Sequence, residues 1–261
     1  MDLKEIAFNK TNKRHPWEIA RVQVVTNLIT RNLPTTNKAF VVFDIGSGDI
    51  FLIRELSKKF PTAHFFAVDT GYSQEYIEAT NKGLQYDGYN IKIFNSLATA
   101  EKACLSPVDL VLLLDVIEHV PNDVSFLKEL NASSKIIEQT IFLITVPAFQ
   151  FLFCSHDVFL EHFRRYNNQL LRLNLTKAGL TVIDIGYFFL IPLFLRFIRV
   201  VYEKAIPSKK VTGIGNWAGG ILWSRFLIWM LLTDFSIADF FRKLKISLPG
   251  LSNYVVCKKF V

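Results

Sequence analysis

Residues Ala39–Asp49 read AFVVFDIGSGD. The β-branched and aromatic run Ala39–Ile45 stops at Gly46, as a strand buried on both faces does. Gly46 and Gly48 let the chain turn tightly and let backbone approach a ligand. Working outward, Asp49–Phe60 reads as a helix closed by Pro61, and Ala63–Val68 as a second strand ending at Asp69. Asp69 falls 21 residues after Gly48, which suits a carboxylate gripping ribose hydroxyls. A lone Gly-x-Gly is often only a turn. With the strand-end acid and the β-α-β frame, it points to a nucleoside-containing cofactor.

The alternation continues. Helices are expected over Trp17–Leu33 (with Pro34 ending it), Ser73–Lys82, Asp123–Lys135 and Gln169–Ala178, the last with Gly179 just beyond it. Strands are expected over Asn90–Phe94, Val108–Leu114, Ile141–Val146, Thr181–Tyr187 and Tyr254–Lys258. This pattern is the signature of a doubly wound α/β sheet. Such sheets bind ligands beyond the carboxyl ends of their strands, where Asp44, Asp69, Asn95 and Asp115 fall.

The choice of cofactor turns on position 51. A dinucleotide fingerprint needs a third glycine there, and this chain has Phe51. Asp49 also repels a pyrophosphate at the helix N-terminus. A cationic sulfonium makes partners of the same acids, so the electrostatics favour S-adenosyl-L-methionine over NAD.

These residues resemble those of class I S-adenosylmethionine-dependent methyltransferases. VVFDIGSGD corresponds to their first motif, FFAVDT with Asp69 to the ribose acid, and LLLDVIEHVPND to the fourth-strand motif of the ubiquinone type. The resemblance covers about residues 15–185 and, more loosely, Ser247–Lys258. It departs at Ile50, where the family usually has a further glycine. It implies a doubly wound, seven-stranded Rossmann-like methyltransferase sheet. It also implies that Asp44, Gly46, Ser47 and Gly48 shape the methionine pocket, that Asp69 binds ribose, that Asn95 lies near adenine, and that Leu114 and Asp115 line the sulfonium side.

A second block, TVPAFQFLFCSHDVFLEHFRRY, follows the fifth strand. It resembles methyltransferases of bacterial surface-glycan and lipid-modifying pathways, in which this loop lies over the active site. The leading HPWEIAR resembles their N-terminal helix. The block brings His156, Asp157, His162, Arg164, Arg165 and Tyr166 toward the strand-end face. His119, His156, Asp157 and His162 are the candidates for base and orienter. Arg164, Arg165 and Tyr166 are the candidates for substrate contact. The bland alternative is that these groups cap helices and brace the loop through ion pairs. Asp115, Glu118 and His119 at i, i+3, i+4 would also suit a divalent ion with His156 or His162, as the resemblance to metal-using relatives suggests. The expectation adopted is no metal.

Composition frames the rest. The chain has 261 residues, a net charge of +7 and 51% hydrophobic residues, with a mean hydropathy of +0.27. Disorder is excluded by the apolar content. Cys104, Cys154 and Cys257 are too few and scattered for a disulfide scaffold. The N-terminus lacks an apolar h-region and a small-residue cleavage site, so no signal peptide is expected. Residues 1–40 carry seven Lys/Arg against three Asp/Glu (+4), residues 41–185 carry 12 against 17 (−5), and residues 186–261 carry 11 against three (+8). An acidic centre argues against nucleic acid as a partner, because the cleft would repel phosphates.

The basic C-terminal part is also the greasiest. Tyr187–Val201 is nearly all apolar, but it is shorter than a membrane span and holds Pro192, Arg196 and Arg199. Gly215–Leu232 carries Trp217, Trp223 and Trp229, and the basic turn Pro207–Lys210 precedes it. Phe240–Lys245 repeats the theme of aromatics and cations. The favoured expectation is two amphipathic or re-entrant helices in one leaflet, with a helical cap or dimer surface and true spanning as alternatives. The chain thus divides into an N-terminal helical lid (1–38), a cofactor-binding core (39–187), a hydrophobic helical insertion (188–247) and a returning last strand (248–261).

The expected activity is methyl transfer, most simply to a hydroxyl of a glycan, lipid-linked or small-molecule acceptor. It is placed in the cytoplasm, peripheral or monotopic on the inner membrane face. A non-catalytic nucleoside-binding scaffold and an RNA methyltransferase are the competing readings. The sequence leaves the oligomeric state open.

Overall fold

The structure is a computed structural model that describes residues 14–33, 38–206 and 217–260. Pro34, the turn Pro207–Lys210, Gly215 and the first 13 residues of the expected lid lie outside the described residues.

The first described element is helix α1 (Pro16–Asn32). It starts at His15, whose ring accepts from the Trp17 backbone while Glu18 bonds back to the His15 amide. The core then runs β1 (Val41–Ile45), α2 (Phe51–Lys59), β2 (His64–Val68), α3 (Gln74–Tyr86), β3 (Ile91–Phe94), α4 (Leu97–Ala103) and β4 (Val108–Leu114). It continues with α5 (Asp123–Asn131), β5 (Ile136–Pro147), a short helix α6 (Ser155–Phe159), α7 (Asn168–Lys177) and β6 (Leu180–Phe188). Helices α8 (Leu190–Ala205) and α9 (Ile221–Lys243) precede the last strand, β7 (Ser252–Lys259).

The seven strands form one sheet in the order β3-β2-β1-β4-β5-β7-β6. β7 is antiparallel to both its neighbours, and the rest of the sheet is parallel. The returning strand therefore slots between β5 and β6. The order reverses between β1 and β4, and the crevice at such a switch point is where open α/β sheets bind ligands.

The central strands alternate between two cores. Leu110 and Leu112 of β4 face one, with Leu28, Ile53, Leu56 and Phe235. Val111 and Leu113 face the other, with Leu127, Leu130, Leu171 and Leu175. Burial on both faces explains why these strands read as unbroken apolar runs.

Residues with positive φ mark the exits of the strands. Ile50, Asp115, Phe149 and Phe189 follow β1, β4, β5 and β6 with φ between 55° and 67°. Non-glycine residues are uncommon there, and such strain gathers where surrounding structure imposes it, often at functional sites. Ile50 is informative. It sits at the glycine-favouring position of the first-motif loop and holds φ 55° as a β-branched residue.

α9 is anchored by its C-terminal half, where Leu231, Asp234, Phe235 and Ala238 are buried. Asp234 accepts from the Ile191 amide at 2.9 Å and so caps α8, whose own first residues bring no side-chain cap. Arg31 of α1 pairs with Asp184 of β6 and Asp239 of α9, and Arg242 joins Asp184 at 3.2 Å. The other surfaces of α8 and α9 are apolar and open to solvent: Phe194, Leu195 and Ile198 on α8, and Leu222 (82% exposed), Trp223 and Trp229 on α9. α9 is the one helix among the described residues long and apolar enough to cross a membrane.

Candidate functional site

The loop from β1 into α2 is folded around Asp69. The Gly46 and Ser47 amides both donate to the Val68 carbonyl, at 2.7 and 3.2 Å, which carries the loop onto the end of β2. Asp69 accepts from Gly48 N at 2.9 Å and from Gly71 N at 2.8 Å. Its remaining lone pairs stay available to a ribose. Gly46 (φ 74°) has no room for a side chain: a Cβ would lie 2.6 Å from Val116 Cγ2. Gly48 holds φ 57°. Ser47 Oγ lies 2.8 Å from the Tyr72 hydroxyl, which in turn donates to the Gly48 carbonyl at 2.6 Å. Ser47 thus steadies the loop through Tyr72, a residue not singled out from the sequence.

Asp44 is buried beneath this loop. Burial lifts its pKa to about 7; Arg21 opposes the shift and Asp69 adds to it. Asp115, which follows β4, holds a positive φ and faces Arg21. Arg21 Nη2 is 2.9 Å from Asp115 Oδ2 and donates to Thr145 Oγ1 at 2.9 Å, and Thr145 Oγ1 donates to Asp115 Oδ1 at 3.1 Å. Arg21 comes from α1, so the N-terminal helix reaches the heart of the strand-end face. Arg14 likewise pairs with Asp49. Leu114 is half-buried against the core. Asn95 lies exposed just past β3.

The second block folds over the same edge. Phe163 N donates to the Glu118 carbonyl at 2.8 Å, which brings His162 against His119 with ring centroids 4.6 Å apart. His162 Nδ1 is 2.9 Å from Asp157 Oδ1. Asp157 is fully buried and also accepts from Arg165 Nε at 2.8 Å and from Cys154 N at 2.9 Å. Burial alone would raise the Asp157 pKa, but the His162 hydrogen bond and the Arg165 charge hold it well below the usual carboxylate range. An Asp157 that stays ionised makes Nδ1 of His162 the donor and leaves Nε2 to accept a proton.

Arg165 also donates to the Ala148 carbonyl. Tyr166 is buried and donates to Asp123 Oδ2 at 2.7 Å. Arg164 bonds the Val120 and Pro121 carbonyls and pairs with Asp123. These three candidates for substrate contact therefore brace the loop, the role sequence reasoning had set against substrate binding. His156 is buried in α6.

Glu118 stands apart. It is fully buried, and neither carboxyl oxygen has a hydrogen-bond partner among the described residues. Burial, helped by nearby Asp115, pushes its pKa well above the ordinary carboxylate value. Glu118, His119 and His162 offer ligand atoms within 4.8 Å of one another, a set that would suit a divalent ion. Asp115 is not among them, being engaged by Arg21.

No protein-family model matches the sequence, and no curated protein matches it. Solved structures do. A protein of Galdieria sulphuraria assigned as a sarcosine dimethylglycine methyltransferase aligns over 91% of this chain and 86% of its own, with TM-score 0.54 and 12% identity. The plantazolicin methyltransferase BamL, solved with S-adenosylhomocysteine, aligns over 92% and 85%, with TM-score 0.53 and 14% identity. The mycolic acid cyclopropane synthase CmaA1, also solved with S-adenosylhomocysteine, aligns over 90% and 83%, with TM-score 0.52 and 13% identity. The fold is thus the Rossmann-like fold of class I S-adenosylmethionine-dependent methyltransferases.

Proposed function

We propose that this chain is an S-adenosylmethionine-dependent methyltransferase that works at a membrane surface. The acceptor group is a hydroxyl of a glycan, lipid-linked or small molecule, reached from the cytoplasmic face. The observation that carries the reading is the strand-end constellation. A loop with two positive-φ glycines is pinned to Asp69 above buried Asp44, and the His162–Asp157 pair lies on the loop that follows β5 at the same ends of the strands.

Asp69 would hold the ribose, and Asp44 with Gly46, Ser47 and Gly48 the methionine part. When bound, the cofactor supplies an electrophilic methyl on a sulfonium. The chain's own residues position the acceptor and handle its proton. Asp157 fixes the tautomer of His162, and His162 Nε2 takes the hydroxyl proton as the oxygen is methylated. The acidic surroundings suit a positively charged donor better than a phosphate.

The membrane part of the reading is supported by the exposed aromatics of α8 and α9 and by the +8 charge of residues 186–261. The buried half of α9 belongs to the fold. What remains, about ten residues at 1.5 Å each, is too short to span a bilayer core of about 30 Å. Lying in one leaflet is the geometry this favours.

A second reading concerns how the hydroxyl is activated. The partnerless Glu118 carboxyl favours a divalent ion held by Glu118, His119 and His162, with Asp157 bonded to the far nitrogen of His162 as in carboxylate–histidine–metal arrangements. Such an ion would polarise the acceptor oxygen.

The experiment supplies methyl-labelled S-adenosylmethionine with total membrane extract. Label is expected in the lipid-extractable fraction and should be lost in His162→Ala. Folded protein that labels no lipid, glycan or small-molecule fraction overturns the reading.

A further inference from the structure

One run of aromatic rings leads from the loop after β5 to helix α8. Tyr187, at the end of β6, stacks on Phe149 with centroids 5.0 Å apart; Phe149 stacks on Phe151 at 5.5 Å; and Phe151 meets Phe197 of α8 edge-on at 6.5 Å. These four rings are only partly covered. Tyr187 and Phe149 are half-buried, and Phe151 and Phe197 are about half exposed. Phe149 is held at φ 60°, a strained conformation for an aromatic residue, with its amide on the Tyr166 carbonyl at 2.7 Å. The track begins just after β5, on the loop that carries Asp157 and His162. It ends on the face of α8 that presents Phe194, Leu195 and Ile198 to solvent.

α8 is fixed in this relation by polar contacts on its other side. Glu203 accepts from the Ser155 amide and hydroxyl at 3.1 and 2.9 Å, and Arg196 reaches Cys154 Sγ at 2.9 Å. Ser155 and Cys154 start the short helix α6, which bears Asp157. The apolar helix and the base-bearing loop are thus one unit.

We propose that the Tyr187–Phe149–Phe151–Phe197 track is a subsite for the apolar chain of an amphiphilic acceptor. The polar end, bearing the hydroxyl to be methylated, sits at His162. The inference rests on the methyltransferase reading and narrows its acceptor to a molecule with a chain. The occupant follows from continuity: the rings run from the loop that also carries Asp157 and His162 to the exposed face of α8. The exposed Trp223 and Trp229 of α9 each meet the ring of Phe226 on their own helix rather than the track, and are assigned to the lipid surface instead.

The test titrates a homologous series of n-alkyl glucosides, butyl to dodecyl and below their micelle concentrations, into the full chain. Affinity should rise up to about fourfold per methylene. That gain should fall by half or more in Phe151→Ala and Phe197→Ala, and stay unchanged in Trp229→Ala. Both substituted side chains are exposed, so folding is spared. A flat series overturns the subsite. So does a loss that is equal in Trp229→Ala, which would place the chain on the lipid-facing surface. The same samples are titrated with S-adenosylmethionine. Cofactor binding with a flat alkyl series sinks the subsite alone, whereas an alkyl series that rises without cofactor binding sinks the methyltransferase reading and, with it, the track's role in holding a methyl acceptor.

Discussion

Asp157→Asn changes one oxygen for one NH2 in the most buried polar cluster of the site. In the wild type, the Asp157 carboxylate accepts from Arg165 Nε, His162 Nδ1 and Cys154 N. Oδ1 takes both Arg165 Nε and His162 Nδ1 while Oδ2 takes Cys154 N, so the single acceptor oxygen of the amide leaves its NH2 facing either that pair or the Cys154 amide, donor against donor. Arg165 is 2% exposed and loses the carboxylate it pairs with at 2.8 Å. Removing one partner of a buried ion pair costs about 3–5 kcal/mol. The Asn oxygen recovers some of this, leaving about 3 kcal/mol, or a fall in Tm of about 6–12 °C for a chain of this size. Arg165→Met should cost about as much. The double variant should cost at least about 1.5 kcal/mol less than the two singles together, because the second change removes the group the first one orphaned. Urea denaturation of the four proteins measures this. The sign with pH is fixed as well. The Asp157 pKa is depressed in the fold, so its contribution is present above the unfolded value of about 3.9 and is lost as pH falls below it. A cost under about 1 kcal/mol for Asp157→Asn, or strictly additive effects, refutes the buried cluster and with it the orientation of His162.

Other outcomes follow from the same geometry. Asp44 titrates at about 7 in the fold against about 3.9 unfolded, so its share of stability falls between roughly pH 4 and 7. Binding of the cationic cofactor runs the other way, strengthening by up to about tenfold per pH unit toward 7 and levelling above; calorimetry across pH should show the slope vanish in Asp44→Asn. The Glu118 pKa is raised in the fold, so wild-type stability falls as pH rises above the ordinary carboxylate value, and Glu118→Gln should gain on the wild type from pH 5 to pH 8. The same variant should abolish Mn2+ binding, followed by electron paramagnetic resonance, if the ion reading holds. Ile50→Gly should stay within about 1 kcal/mol of wild type by thermal denaturation, since relief of the left-handed conformation (about 1–2 kcal/mol) offsets lost burial of about 1.5–3 kcal/mol. Gly46→Ala, by contrast, should abolish cofactor binding.

Much of the sheet was legible because its strands are buried on both faces and end at glycine, proline or acid. Val108–Leu114 was read to the residue, and the others to within a few positions. β5 runs from Ile136, five residues earlier than its apolar run suggests, since Glu138 and Gln139 interrupt the pattern at an exposed stretch. α4 and α6 were missed. Each is a single turn or two, with periodicity too short to register, although Ser96 before α4 is a capping signal that was there to be found. In the site, the acids and glycines were legible because loop chemistry demands them. Arg21 was not, because its partner Asp115 lies 94 residues away and no local pattern joins them. The bracing roles of Arg165 and Tyr166 were equally hidden: Arg-Arg-Tyr looks the same whether it faces substrate or carboxylate, and only burial decides.

Calorimetric titration of S-adenosylmethionine into the folded chain and its Asp69→Ala variant tests the central claim most directly. One molecule should bind per wild-type chain, with affinity at least about tenfold weaker in the variant, since Asp69 both holds the ribose and anchors Gly48. No binding by the wild type, or equal binding by the two, would contradict it.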